Sequence, residues 1–317
     1  MASERYVCTL DKELRDKARS ELLEKDEWRQ RDIDALRMRV LNNKALTSRQ
    51  DAEFLIRFLR ARKFDYERSY ALLESYYRMR AQHPHIYRAL KPSAVEQLWA
   101  DGVTQVLPHP DKFGRRIIYY RPGKLQYDKY SVDDFLKAAN MNLEHIIRDE
   151  ATQVNGVVVI SNGDGVTWDL FKHAGIERLR LMPKLVQEAF PIRMKVLHMV
   201  NQPEIFGYVF NLVKPFLKEK LRSRMNFHGA QLDNLVNNPA FGLDTDMLPS
   251  ELGGSLPSGD ELAHAWKKTI MAEEAYFEQQ LQYKMTLERG ISDQTAADGS
   301  LEGTTGVAGT FKRLNVD

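Results

Sequence analysis

Between residues 10 and 82 apolar side chains recur every three or four positions among charged ones, the period of helices that pack by one face on a core. LDKELRDKARSELLEKDEWRQRDIDALRMRVL opens this region. Thr47 and Ser48 then introduce RQDAEFLIRFLRARKF, where Phe54, Leu55, Phe58 and Leu59 make an inward stripe. YERSYALLESYYRMRAQ follows, with Tyr70, Leu73 and Tyr77 on one side. Near residue 104 the period changes. VTQVLP, RRIIYY, NGVVVIS and MKVLHMV are short β-branched or aromatic runs bounded by Pro, Gly, Asn or Asp, and they predict strands. The helical patterns VDDFLKAANMNLEHIIRDEA and GIERLRLMPKLVQEAF separate the later runs. That alternation predicts an α/β fold, with a mainly parallel sheet, flanking helices and an N-terminal helical domain. A last helix is expected through ELAHAWKKTIMAEEAYFEQQLQYKM. The expected divisions are a flexible start at 1–9, helices over 10–90, an α/β domain over 91–285 and a small, polar, disordered tail over 286–317.

One segment breaks the ordinary pattern. In NQPEIFGYVFNLVKPFLKEKLRSRM, at about 100° per residue, Ile205, Val209, Leu212, Val213 and Phe216 share a side that Phe206, Phe210 and Leu217 widen. A core helix on the sheet explains the stripe. Lys214, Lys218 and Arg222 form a row opposite it, which solvation explains. Lys220 and Arg224 instead prolong the apolar face beyond Pro215. Between Arg193 and Arg224 stand seven basic residues (Arg193, Lys195, Lys214, Lys218, Lys220, Arg222, Arg224) and two acidic ones, Glu204 and Glu219, a local excess of 7 − 2 = +5. Apolar side chains beside such a patch suit reversible contact with an anionic membrane surface.

Composition narrows the field. The 317 residues accommodate one large domain with a helical annex or two domains, and 43% hydrophobic residues supply a sizeable core. A net charge of only +2 makes nucleic acid a poor default partner. A single cysteine, Cys8, excludes an internal disulfide framework and fits a reducing compartment. The start, MASERYVCTLDKELRDKARSELL, is charged throughout, so no secretory signal is expected, and no run approaches the roughly 18 apolar residues that span a bilayer.

Catalytic motifs are sparse. His83 and His85 lack the Cys or carboxylate companions of a metal site, and neither a G-x-S-x-G elbow nor a Walker-type loop occurs. SNGDGVTW (161–168) follows a strand and is glycine-rich, as phosphate loops are, but a lone G-D-G is more often a plain turn. Tyr119 and Tyr120 end a strand, where a buried, hydrogen-bonded phenol is the ordinary expectation. No enzyme, cofactor or metal is expected.

Five motifs in order carry a family resemblance: FLIRFLRARKFD (54–65), EATQVNG (150–156), FPIRMKVLHMVNQP (190–203), VKPFLKEKL (213–221) and LPSELGG (248–254). Together they resemble the CRAL-TRIO lipid-binding family over about residues 10–280, and most of all its alpha-tocopherol transfer protein-like branch. The resemblance implies one deep apolar cavity in the α/β domain, closed by a mobile helical gate, with a bound hydrophobic lipid as cargo and no covalent chemistry. It implies phosphoinositide contacts at Arg193 and Lys195 (the basic pair of F-P-x-[KR]-x-[KR]), at Lys220 and Arg224 (after K-P-F-L) and at Arg62. Leu136, Ala139, Leu143, Val157 and Ser161 fall at or near lining positions, as do Trp168, Met182, Leu185, Val186 and Ile192. Phe206, Val209, Phe210, Val213 and Leu217 would form the gate. Leu143 stands where that branch has a serine in the pocket, and Ser161 and Trp168 where it has phenylalanines. Ile192 replaces the glutamate with which phosphatidylinositol carriers hold a headgroup inside. The expectation is a soluble, cytoplasmic carrier of an isoprenoid-type lipid (tocopherol, retinoid or carotenoid), transiently on endosomal or other internal membranes. The alternative is a phosphoinositide-directed adaptor with a non-exchanging cavity.

Overall fold

The computed structural model describes residues 5–287. Four helices open the fold, and aspartates start three of them: α1 (Lys12–Leu22), α2 (Asp26–Asn42), α3 (Ala52–Ala61) and α4 (Tyr66–Gln82). Asp11, Asp51 and Asp65 each accept a hydrogen bond from a first-turn N–H, satisfying donors that have no partner within the helix. The α3–α4 turn is tight because Lys63 and Phe64 both take left-handed backbone, φ 56° each. Inside the helices Phe54, Phe58, Tyr76 and Tyr77 pack edge to face at centroid spacings of 5.0–6.2 Å.

Two expectations change here. Residues 5–9 are not loose: Tyr6 is buried, its hydroxyl accepts from Arg60 at 3.2 Å, and the Thr9 N–H donates to Glu150. The single last helix is two, α10 (Gly259–Met271) and α11 (Glu274–Gln280), after which Lys284–Met285 pairs antiparallel with Leu46–Thr47. Tyr283 and Met285 thereby pack on the N-terminal helical core. Beyond residue 287 the expected polar tail lies outside the described residues.

The sheet has strands β1 (Thr104–Val106), β2 (Arg116–Tyr120), β3 (Val157–Asn162), β4 (Met194–Val200) and β5 (Met225–Gly229), adjacent in that order. Only the β1–β2 pair is antiparallel. The intervening helices are α5 (Val132–Ile146), α6 (Glu150–Asn155), α7 (Trp168–Lys184), α8 (Ile205–Val213) and the single turn α9 (Glu219–Arg222). Alternation along the strands gives the sheet two faces. Ile117, Tyr119, Val158, Ile160 and Val200 face a layer of Leu235, Leu243, Leu248 and Leu252. Ile118, Val159, Leu197 and Met225 form a row on the other face, Val159 opposite both Ile118 and Leu197.

A buried ionic knot fastens the N-terminal helices to this domain. The Arg60 guanidinium, fully buried, donates twice to Glu24 at 2.9 Å and to Gln153 at 2.8 Å, and pairs with Glu150 at 3.3 Å. Arg60→Ala removes two of the hydrogen bonds to buried Glu24, leaving it Arg29 at 2.6 Å, and strips Gln153 and Glu150 of their shared donor. We expect a loss of about 3 kcal/mol, read as a lower urea midpoint at unchanged m value. On the outer face of β4, buried His198 lies with Nδ1 3.0 Å from Nε2 of His228. Burial, then His228 and Arg115, push its pKa down to about 3 from 6.5. The folded chain thus binds this proton less readily than the unfolded chain. His198 contributes stability above pH 6.5, and that contribution is lost as pH falls toward 3. His198→Phe should flatten that part of a stability–pH curve.

Candidate functional site: an apolar cavity beside a basic cluster

A cavity of about 310 Å³ opens between the inner face of the sheet and helices α5, α7 and α8. Its floor is built from register partners: Val159 beside Leu197, and Tyr120, Ser161 and Met199 in the next row. Period-3.6 spacing on α5 turns Phe135, Leu136, Ala139, Asn140 and Leu143 inward, after a Ser131–Asp134 capping box has set the helix start. Among the described residues no acidic, basic, histidine or cysteine side chain lines the cavity, and the polar side chains that do are Tyr120, Asn140 and Ser161.

Of the sequence-predicted lining residues, Leu136, Ala139, Leu143, Ser161, Met182, Leu185 and Val186 line this cavity, as do Phe206, Val209, Phe210, Val213 and Leu217. Three do not. Val157 is fully buried in the core at the entry to β3, where the register to β4 shifts. Trp168, the first residue of α7, is 44% exposed and packs edge-on against Phe171, which lines the cavity instead. Ile192 is buried in the core before β4. Sequence reasoning missed Leu170, Phe171, Leu179, Met199 and Met225. The alternation of β4 placed Met199 two residues after Leu197, and that signal was available.

The covering segment bends. α8 runs Ile205–Val213, a 3₁₀ turn covers Lys214–Phe216, and Leu217 is extended. Pro215 has no N–H to continue the helix. A single helical face through Arg224 therefore does not exist, which corrects the expectation that Lys220 and Arg224 extend one stripe. Leu212 and Phe216 also leave the expected inner side: they are 49% and 41% exposed, with Tyr208 at 67%. The gate thus has apolar side chains on both surfaces. Opposite it, α7 is interrupted at Gly175 (φ 63°, ψ 165°) and passes into a π turn, Leu185–Ala189. SNGDGVTW is the turn into α7, where the Thr167 side chain caps the helix by accepting from the Asp169 N–H.

Although their common helical face is gone, Lys220 and Arg224 meet the other expected basic residues in space. Lys220 is exposed, and its pKa is lowered by partial burial and by the charges of Arg224, Lys63, Arg193 and Arg62. Lys63 was missed by the sequence reading; its strained backbone turn brings it in. Arg224 donates to the Met194 carbonyl, and burial and Arg193 lower its pKa. Among the described residues Arg62, Lys220 and Arg224 have no carboxylate partner. Arg193 and Lys195 share one: Glu21 of α1 lies 2.7 Å from the first and 3.3 Å from the second, and their pull outweighs its desolvation to hold its carboxyl below the usual range.

A mainly parallel sheet with an apolar cavity under a bent helical cover is the architecture of a protein that encloses an apolar small molecule. Comparison with known proteins agrees. A family model described as CRAL/TRIO domain matches residues 100–254, and one described as Pinta-like, UBA domain matches residues 25–96. Alpha-tocopherol transfer protein-like of Homo sapiens is 40% identical over 273 residues, 86% of this chain and 78% of its own. Clavesin-2 of Homo sapiens is 33% identical over 268 residues, 84% of this chain and 80% of its own. The chain belongs to the CRAL/TRIO lipid-binding family. No helix among the described residues is long and apolar enough to cross a membrane.

Phe210 lines the cavity from α8 and stacks edge-on against Phe227 of β5 at 5.0 Å. Phe210→Asp sets a charge against an apolar occupant. We expect it to weaken uptake of a fluorescent isoprenoid at least tenfold, measured by titration; equal binding would remove Phe210 from the site.

Proposed function

We propose that this chain is a soluble, non-enzymatic carrier that encloses one isoprenoid-type lipid and exchanges it at phosphoinositide-containing membranes. Tocopherol, retinoid and carotenoid are the cargo candidates, and the cytoplasm with transient visits to endosomal or other internal membranes is the expected location. One observation carries the reading: the helix that covers the apolar cavity lies between it and an exposed apolar surface, beside a basic cluster in which Arg62, Lys220 and Arg224 have no carboxylate partner among the described residues. Opening α8 uncovers Phe206, Val209, Phe210 and Val213. That exposure is unfavourable in water and tolerable against a bilayer, where Tyr208, Leu212 and Phe216 can enter the interface. Each basic side chain near an anionic leaflet adds about 1 kcal/mol, so Arg62, Arg193, Lys195, Lys220 and Arg224 suffice for a reversible contact. Among the described lining residues the Ser161 and Tyr120 hydroxyls have no histidine, carboxylate or amine beside them to activate either, which favours carriage over chemistry.

Two variants test the basic cluster in opposite directions. Lys220→Ala with Arg224→Ala should weaken sedimentation with phosphoinositide-containing vesicles by roughly 30-fold at low salt, from about 1 kcal/mol per residue, and leave cargo affinity unchanged. Glu21→Gln removes the internal anion from Arg193 and Lys195 and should strengthen vesicle binding severalfold. Unchanged sedimentation of both variants would defeat the reading of this surface. A cavity lipid that never exchanges would mark the chain as an adaptor instead of a carrier.

A further inference from the structure

The cavity wall contains two polar groups that the protein leaves unused. Asn140 is committed: its Oδ1 accepts from the Tyr87 hydroxyl at 2.8 Å, and its Nδ2 donates to the Leu136 carbonyl at 2.6 Å. Tyr120 and Ser161 differ. They are register partners on the parallel strands β2 and β3, both line the cavity, and neither hydroxyl has a hydrogen-bond partner among the described residues. The Tyr120 ring is fixed edge-on to Phe135 at 5.5 Å, which aims the phenol rather than leaving it free. Two adjacent hydroxyls with no partner in an otherwise apolar enclosure are costly unless a ligand satisfies them.

Resting on the reading of this cavity as a lipid carrier's, we infer that Tyr120 and Ser161 form the head-group subsite, and that the cargo is an apolar lipid bearing one neutral hydroxyl. Tyr120 donates to the cargo oxygen, and the cargo O–H donates to Ser161 Oγ. An ether keeps only the first bond, and a hydrocarbon keeps neither. A carboxylate or phosphate finds no cation in the lining to neutralise it, so acidic lipids are excluded from the interior. Burial also raises the Tyr120 pKa, which keeps the phenol protonated as a donor.

The test is competitive loading of the full chain from a micellar pool of α-tocopherol, its methyl ether, phytol, phytyl methyl ether and phytane, with extracted lipid counted by mass spectrometry. Wild type should enrich each alcohol over its ether by about fivefold, the worth of one net hydrogen bond. Ser161→Ala should bring that ratio to about one. Tyr120→Phe should lower capture of alcohols and ethers alike and leave phytane unchanged. Each variant removes a single oxygen, and thermal melts verify that both fold. Equal capture of alcohols, ethers and phytane by wild type, or unchanged ratios in both variants, overturns the subsite and leaves the carrier reading standing. Capture of nothing from the pool overturns both.

A separate observation concerns the gate's hinge. Gln187, in the π turn after α7, brackets Leu217: its Nε2 donates to the Phe216 carbonyl at 3.2 Å and its Oε1 accepts from the Lys218 N–H at 2.7 Å. Its own carbonyl accepts from Arg62 at 3.4 Å. The geometry points to Gln187 as a positioning residue that holds the C-terminal end of the gate shut and links it to the basic cluster. Gln187→Leu should speed transfer of a fluorescently tagged tocopherol to vesicles lacking phosphoinositide severalfold, while sedimentation with phosphoinositide-containing vesicles stays the same. An unchanged transfer rate, or an equal loss of vesicle binding, overturns it.

Discussion

The structure is organised around the cost of keeping an apolar cavity open. Side chains that line a void lose dispersion contacts on one side, and a void of this size costs on the order of several kcal/mol. The surrounding scaffold is accordingly packed on every other face. The sheet's outer surface is sealed by leucines from residues 235–252, and the N-terminal helical unit is pinned to the α/β domain by the Arg60 knot. The α8 side differs. The helix ends at Val213, a 3₁₀ turn with Pro215 follows, and Leu217 is extended chain. A packed wall and a bent cover thus lie on opposite sides of one space.

Electrostatics follow the same division. Buried Arg60 and Glu24 in the N-terminal unit are closely paired, so they hold shape. At the edge of the gate, like charges crowd together without enough carboxylates, and partial burial together with that repulsion lowers the Lys220 and Arg224 pKa values. An arriving anion relieves it. Glu21 offsets only Arg193 and Lys195, from α1, whose Ala18 and Leu22 pack with Val154 of α6 in a small core of their own.

Much of the fold was legible because burial leaves a periodic signature. Four of the five sheet strands were visible as β-branched runs. The inner residues of the cover, Phe206, Val209, Phe210, Val213 and Leu217, came instead from the family resemblance, spacing alone having centred the face on Ile205, Val209, Leu212, Val213 and Phe216. β5 was not: MNFHG mixes polar residues into an edge strand, which carries no clean alternation. Val157, Trp168 and Ile192 were misplaced for local reasons, respectively a register shift, a helix start and a core-facing link, none of which a family-level match resolves.

Sequence by itself determined the class of fold, the apolar cover and the local excess of positive charge, because each depends on residue type and near-neighbour spacing. Tertiary structure decided which basic side chains converge, which lining residues reach the void and which hydroxyls go unpaired. Pro215 shows why. Helical geometry extrapolated through it put Lys220 and Arg224 on one face, whereas the real chain turns and brings them beside Arg62, Lys63 and Arg193, from distant parts of the sequence. Convergence of that kind is a property of distances between elements, and no local period encodes it.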